Sequence, residues 1–77
     1  MLAIVFKQGR IIMNLTTWLD NVWNRFVIIS NGSVNQNDKT DWYGANYDSD
    51  YCAVLEEMYN KGCTPDAAAE ALVYIEF

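Results

Sequence analysis

Histidine is absent from the 77-residue sequence, which also contains a single proline, two cysteines and only five basic residues. Without histidine, the chain lacks the most frequent general base and the most frequent transition-metal ligand of proteins. No nucleotide-binding or catalytic motif is present either. We therefore expect a protein that is not an enzyme and that holds neither a metal ion nor a cofactor.

Long apolar runs are also missing. Wholly apolar runs such as 2–6 and 26–29 are far shorter than the ~20 residues that a membrane-spanning helix needs. The N-terminus does not have the layout of a signal peptide, because Lys7 and Arg10 follow the apolar run instead of preceding it. We expect a soluble, intracellular protein whose two cysteines, Cys52 and Cys63, are free thiols.

The charge of the chain is strongly asymmetric. Ten acidic residues against five basic ones give a formal net charge of −5. Residues 13–77 contain all ten acids and only three bases, so this part of the chain has a net charge of −7. Such a surface repels nucleic acid and anionic membranes and attracts basic partners. Direct binding to nucleic acid or to a membrane is therefore not expected.

The composition predicts one small folded domain, residues 1–77. A hydrophobic fraction of 52% is too high for a disordered chain, and 77 residues are too few to divide a core in two. The hydrophobic periodicity predicts a mainly α domain with three helices, at about 14–29, 49–61 and 65–76. Residues 1–13 form either a short β-hairpin, with strands at 2–6 and 11–13, or an irregular arm.

The first predicted helix has the clearest amphipathic pattern in the chain. At 100° per residue, seven apolar side chains fall within one arc about 140° wide. They are Leu15, Trp18, Leu19, Val22, Trp23, Phe26 and Ile29. Asn14 is a favourable N-cap, and the Ser30-Asn31-Gly32 sequence is typical of a helix end. We expect this helix to provide the main wall of the core.

The second and third helices are marked by their ends. Asp48 or Ser49 begins the second helix, Gly62 ends it, and the Thr64-Pro65-Asp66 sequence starts the third. The predicted inner positions of the second helix are Tyr51, Val54, Leu55, Met58 and Tyr59, and those of the third are Ala68, Leu72 and Ile75. Because the connection between the two helices is short, we expect them to pack against each other.

The polar connection 30–47 is long for a compact domain. Within it, residues 40–43 form either an extended piece or a short helical turn. The stretch 38–51 contains four aspartates and four aromatic residues. Trp and Tyr beside acids are typical of a binding face for a basic partner. The alternative is that the aromatic side chains fold down over the helices while the aspartates cap and solubilise the chain.

Three other interpretations of the acidic residues fail on the sequence. A calcium loop with Gly44 at its sixth position would place Lys39 at the first, where an acid is required. The two last helices resemble a helix-turn-helix in outline, but Asp66 and Glu70 stand where a DNA-reading helix needs basic or amide side chains. The acids Asp41, Asp48 and Asp50 do not predict glycoside hydrolysis, because a chain this small offers little cleft.

Acidic residues three or four positions apart on a helix are on the order of 6 Å from each other, near the spacing of phosphates along a DNA strand. The candidate partner-binding residues are Asp38, Asp41, Trp42, Tyr43, Tyr47, Asp48, Asp50, Glu56, Glu57, Asp66 and Glu70. Their carboxylates suit a lysine- and arginine-lined groove that normally holds DNA.

In its short length, acidic balance, lack of histidine and lack of enzyme motifs, the chain resembles the small anti-CRISPR and anti-restriction inhibitors of phages and mobile elements. The residues that carry this resemblance are Asp38, Asp41, Asp48, Asp50, Glu56, Glu57, Asp66 and Glu70. The resemblance implies an inhibitor, active in the cytoplasm of a bacterial host, that binds a CRISPR effector complex and blocks its target DNA. The alternative is an interaction module that forms a homodimer through exposed Trp42, Tyr43 and Tyr47.

Overall fold

The computed structural model describes residues 13–76, and this part of the chain is mainly helical with no strand. Its helices are α1 (Leu15–Ile29), a 3-10 helix (Gln36–Asp38), α2 (Lys39–Tyr43), α3 (Asp50–Asn60) and α4 (Pro65–Glu76). The three predicted helices are confirmed to within one residue at each end. The predicted hairpin lies outside the described residues, apart from Met13.

Helix α1 begins where its cap was predicted. The Asn14 side chain accepts a hydrogen bond of 2.8 Å from the backbone nitrogen of Thr17, a cap that stabilises a helix by about 1 kcal/mol. The fully buried face of α1 consists of Trp18, Leu19, Val22, Trp23 and Phe26. The helix ends at Ser30, after which Asn31 and Gly32 both have positive φ angles.

The connection after α1 is more ordered than the sequence predicts. Asn35 and Asp38 form a capping box around the 3-10 helix, in which the Asn35 side chain accepts a hydrogen bond from the backbone nitrogen of Asn37 and the Asp38 side chain accepts one from that of Asn35. Of the two alternatives for residues 40–43, the helical turn is confirmed as α2, only five residues long. A helix this short contains too little hydrophobic periodicity to be found in a sequence.

The turn between α3 and α4 is a Schellman motif. The backbone nitrogen of Cys63 donates to the Met58 carbonyl at 3.0 Å, and that of Gly62 donates to the Tyr59 carbonyl at 3.0 Å. Helix α4 then starts with the predicted cap, since the Thr64 hydroxyl accepts from the backbone nitrogen of Ala67. Ser49, one of the two predicted caps, begins α3.

Helix α4 packs mainly against α1 and contacts α3 little, so the predicted pairing of the last two helices is wrong. The indole Nε1 of Trp18 donates a 3.0 Å hydrogen bond to the carbonyl of Cys63, which ties the turn before α4 to α1. Ala68 and Ala69 are fully buried, and their small side chains allow a close approach to α1. The prediction failed because a short connection fixes only where a helix starts, not which neighbour covers its apolar face.

Two predicted core positions are also wrong. Val54 is 46% exposed, because the buried side of α3 is centred on Cys52 and Leu55, and Val54 lies on the opposite side. Ile75 is 61% exposed, because it lies in the last turn of α4, beyond the buried Leu72.

Aromatic rings join the elements around α1. Trp23 contacts Phe26, Trp42 and Tyr43, with ring centroids 5.4–6.2 Å apart. Trp18 meets Tyr59 edge-on at 5.4 Å and connects α1 to α3. Pairs of this kind add about 0.5–1.5 kcal/mol each beyond the area that they bury. The cluster fixes α2 on α1 and so places the loop that leads into α3.

Candidate functional site

Three carboxylates lie on the outer face of α3. Asp50, Glu56 and Glu57 are all exposed, and at 100° per residue they fall within an arc of about 120°. Cys52 and Leu55, which lie outside this arc, are buried in the core. The burial of one side therefore turns the acids of the other side toward solvent as a single strip.

A fourth carboxylate, Asp48, lies just before this strip in a tightly shaped loop. Gly44 has φ +86° and ψ 154°, a conformation that is essentially restricted to glycine. A Cβ at Gly44 would overlap the Oδ1 atom of Asp48. The loop is closed by a 3.0 Å hydrogen bond from the backbone nitrogen of Ser49 to the Tyr43 carbonyl. Gly44 thus allows Asp48 to lie close to the backbone at the start of α3.

An ion pair that the sequence does not predict lies on the other side of this loop. The Nζ atom of Lys39 is 2.6 Å from Oδ1 of Asp20, and the hydroxyl of Tyr47 donates to the same oxygen at 2.7 Å. Lys39 also lies 5.2 Å from the centroid of the Tyr47 ring. These contacts hold Tyr47 in its unusual positive-φ conformation, at +57°.

The pKa values of this pair move in opposite directions. Partial burial alone would raise the pKa of Asp20, but the hydrogen bonds from Lys39 and Tyr47 and the charge of Lys39 outweigh it, so that the pKa lies below its usual value. The hydrogen bonds with Asp20 and Tyr47 raise the pKa of Lys39. Both groups are therefore charged at neutral pH, and Lys39 is committed to Asp20, not to an acid of the strip.

The other acids of the predicted site do not join this strip. Asp66 and Glu70 are exposed on α4, and Asp66 lies 3.9 Å from the Nε atom of Arg25. The Asp38 side chain is used in the capping box, and Asp41 is exposed in the first turn of α2. The structure therefore groups Asp48, Asp50, Glu56 and Glu57 around α3 and leaves the remaining acids on other elements.

The aromatic residues of the predicted site face inward. Tyr43 is completely buried, and its hydroxyl donates a 3.0 Å hydrogen bond to the Leu19 carbonyl. Trp42 and Tyr47 are half-buried and pack against the core. The expectation that Tyr43 is exposed is wrong, because α2 is held on α1 by these rings. The alternative, in which the aromatics fold down over the helices, describes all three.

A cleft of about 350 Å³ lies between the start of α1 and the start of α3. Its walls are formed by Leu15, Thr16, Leu19, Asn46, Tyr47, Asp48, Ser49, Cys52, Ala53 and Glu56. Sequence reasoning identified only Tyr47, Asp48 and Glu56 of this set. The others are helix and loop residues that the fold brings together over more than thirty positions, and no local pattern marks them.

The surroundings of the Cys52 thiol argue against a nucleophilic role for it. Both cysteines are free, as predicted. Cys52 is buried, and burial raises the pKa of its thiol, which keeps it in the unreactive protonated form. Among residues 13–76, no three side chains of His, Cys, Asp or Glu come together as a metal site would require. In the same range, none of the helices combines the length and the apolar content needed to cross a membrane.

Comparison of the chain with protein-family models, with curated proteins and with solved structures returned no match. Any function must therefore be inferred from the acidic strip, the cleft and the exposed apolar residues of this chain.

Proposed function

We propose that the protein is an acidic inhibitor of the anti-CRISPR kind, which binds the DNA-binding surface of a CRISPR effector complex in the bacterial cytoplasm and blocks target DNA. The observation that supports this proposal is the strip formed by Asp50, Glu56 and Glu57, preceded by Asp48. These carboxylates are exposed on one side of a rigid helix. Such a surface complements a groove lined with lysine and arginine.

The charge density of the strip supports mimicry of one nucleic-acid strand. Asp50 and Glu57 are seven residues apart, which corresponds to about 10 Å along a helix axis. This length contains three carboxylates, and one strand of duplex DNA carries about three phosphates over the same distance. The strip therefore presents to a basic groove about the same charge as one DNA strand does. Because α3 is already folded, binding does not require its backbone to lose further conformational entropy.

Two of the three basic residues in the described part of the chain are paired with acids that lie away from α3. Lys39 is bound to Asp20 at 2.6 Å, and Arg25 faces Asp66. No ion pair of the described residues involves an acid of the α3 strip. These carboxylates remain free to attract a basic partner, where each charge contributes more to the association rate and to specificity than to affinity.

The direct test uses a panel of purified, guide-loaded CRISPR effector complexes and a labelled target duplex. We expect the protein to inhibit target binding by at least one complex. A variant with Asp50→Asn, Glu56→Gln and Glu57→Gln should inhibit that complex at least tenfold less, a loss of about 1.4 kcal/mol. The matched control, Asp41→Asn, Asp66→Asn and Glu70→Gln, removes three charges elsewhere and should inhibit like the unmodified protein.

Two results would overturn the proposal. If no complex of the panel is inhibited, the protein does not act on CRISPR effectors. If both triple variants lose the same amount of inhibition, net charge and not the α3 strip is responsible. Melting temperatures of the variants must be compared, so that loss of binding is not confused with loss of folding.

A second candidate function is a self-associating interaction module, and exposed apolar residues of α4 favour it. Tyr74 is 87% exposed and Ile75 is 61% exposed. Sedimentation velocity over a hundredfold concentration range tests it. A dimer that the double variant Tyr74→Ser and Ile75→Ser abolishes would support this candidate, and a monomer at all concentrations would exclude it.

A further inference from the structure

The cleft between α1 and α3 differs from the rest of the acidic surface, because it combines an apolar base with charged edges. Leu19 and Cys52 are buried, and Leu15 is half-buried. Asp48 and Glu56, which line the same cleft, are exposed. A flat acidic strip attracts any positively charged group. A cleft with an apolar base instead favours a basic side chain whose length and shape fit it.

The dimensions of the cleft limit what it holds. A volume of about 350 Å³ is near the lower end of the range for small-molecule sites. It is suited to one long side chain and not to a folded segment. Lysine and arginine place their methylene groups along apolar surface while the charged head stays near water. Their stems match Leu15, Leu19 and Cys52, and their heads match the two carboxylates.

The carboxylates at the cleft favour arginine over lysine. Neither Asp48 nor Glu56 forms an ion pair with a described residue. A guanidinium group presents five donors in a planar fork and is more weakly hydrated than an ammonium group. It can bond two carboxylates at once, while it loses less hydration energy on entering a half-enclosed space.

We propose that this cleft receives one arginine side chain from the basic surface of the protein's partner. The inference rests on the proposed function, since it names the contact that would fix the position of the acidic strip along the partner's basic groove. The arginine stem packs on Leu15, Leu19 and Cys52, and its guanidinium group bonds Asp48 and Glu56. The strip then follows the partner's groove from this fixed point.

The test uses the full chain, labelled with ¹⁵N, and two capped tripeptides, Gly-Arg-Gly and its neutral analogue Gly-citrulline-Gly. We expect saturable shifts of the Thr16, Ala53 and Glu56 amide signals with the arginine peptide. For a single side chain we expect a dissociation constant on the order of millimolar. The citrulline peptide should bind at least about fivefold more weakly, because it keeps the shape and loses the charge.

A blocking variant separates the cleft from its charges. Ala53 lines the cleft and is exposed, so Ala53→Phe fills the space and leaves every carboxylate in place. We expect binding of the arginine peptide to weaken about tenfold or more. The control Ala67→Phe, at an exposed position of α4, should bind like the unmodified protein. The melting temperatures of both variants show whether the fold is kept.

Three outcomes would overturn the inference. In the first, Ala53→Phe binds the arginine peptide as tightly as Ala67→Phe. In the second, the peptide shifts the signals of Asp66 and Glu70 as strongly as those of the cleft, which indicates attraction by net charge alone. In the third, the double variant Lys7→Ala and Arg10→Ala binds the peptide about tenfold more tightly, which assigns the cleft to the chain's own N-terminal residues.

The inference and the proposed function fail separately. Peptide binding at the cleft without inhibition of any effector complex would support the arginine site and contradict the proposed inhibition of CRISPR effectors. If the Ala53→Phe variant inhibits an effector as strongly as the unmodified protein does, the proposed function is supported and the arginine anchor in the cleft is contradicted.

Discussion

Lys39 forms the shortest ion pair among the described residues. It lies between the core and the loop that leads to α3, and it bonds Asp20 on α1 at 2.6 Å. Tyr47 donates to the same carboxylate. The three side chains hold α2 and the following loop against α1, while no acid of α3 forms an ion pair among residues 13–76.

The variant Asp20→Asn should reveal the contribution of this group through its dependence on pH. Because the pKa of Asp20 is lowered in the folded protein, its stabilising effect is present above the unfolded value of about 3.9 and is lost as pH falls through the folded value. We expect the variant to be less stable by about 1 kcal/mol at pH 7. The difference should shrink between pH 4 and pH 2.

Thermal denaturation at pH 7, 4 and 2 measures this difference. The variant Asp41→Asn, which changes an exposed acid of α2, serves as the control. A stability difference between Asp20→Asn and the unmodified protein that stays constant from pH 7 to pH 2 would contradict the assignment.

The buried hydroxyl of Tyr43 should make the stability of the fold depend on pH in the alkaline range as well. Burial raises the pKa of its hydroxyl far above the usual value of 10. The unfolded chain releases this proton near pH 10 and the folded chain does not, so stability should fall as pH rises above 10. Tyr43→Phe should cost about 1 kcal/mol at pH 7, because the bond to the Leu19 carbonyl is lost.

Denaturant titrations at pH 8 and pH 11 check this prediction. The loss of stability caused by Tyr43→Phe should become smaller at pH 11. The unmodified protein is destabilised there by ionisation of Tyr43 in the unfolded chain, and the variant has no phenol at that position. A stability difference between Tyr43→Phe and the unmodified protein that stays the same or grows at pH 11 would contradict a raised pKa of Tyr43 in the folded protein.

At the scale of the elements, the local signals in the sequence were sufficient to find the helices but not their partners. The caps at Asn14, Ser49 and Thr64 act within three or four residues, so the sequence predicts where α1, α3 and α4 begin. Which helix covers the alanines of α4 depends on tertiary packing, and the predicted pairing with α3 was wrong.

The candidate site was predictable to a similar degree. The outward position of Glu56 and Glu57 follows from the periodicity of α3 and is confirmed. The ion pair between Asp20 and Lys39 joins residues nineteen positions apart, and the cleft joins the start of α1 to α3. Distant contacts of this kind follow from the fold and leave no periodic trace in the sequence. The prediction that Tyr43 is exposed was wrong for the same reason, because its burial depends on contacts with the distant helix α1.

Two glycines with φ +86° provide a matched test of the loop that positions Asp48. At Gly62 an added Cβ meets open space, whereas at Gly44 it overlaps the Asp48 carboxylate. We expect Gly62→Ala to cost about 1 kcal/mol and Gly44→Ala about 2–3 kcal/mol, since only the second adds a steric overlap to the backbone strain. Chemical denaturation measures both values, and equal losses would contradict the close contact between Gly44 and Asp48.

At the scale of the whole molecule, six of the exposed acids form two groups on different elements. Asp48, Asp50, Glu56 and Glu57 surround the outer side of α3, and Asp66 and Glu70 lie on α4, which packs against α1. A partner that reads a linear array of charges therefore has one well-defined candidate surface, the α3 strip with the cleft beside it. The proposed function requires that this surface and DNA compete for the same groove.

Competition for that groove is the most direct test of the account. The apparent dissociation constant of an inhibited effector complex for its labelled target duplex is measured at increasing concentrations of the protein. We predict that it rises linearly without reaching a plateau, and that the slope falls at least about tenfold for the Asp50, Glu56 and Glu57 triple variant. A plateau, or a slope that the triple variant leaves unchanged, would contradict mimicry of DNA by the α3 strip.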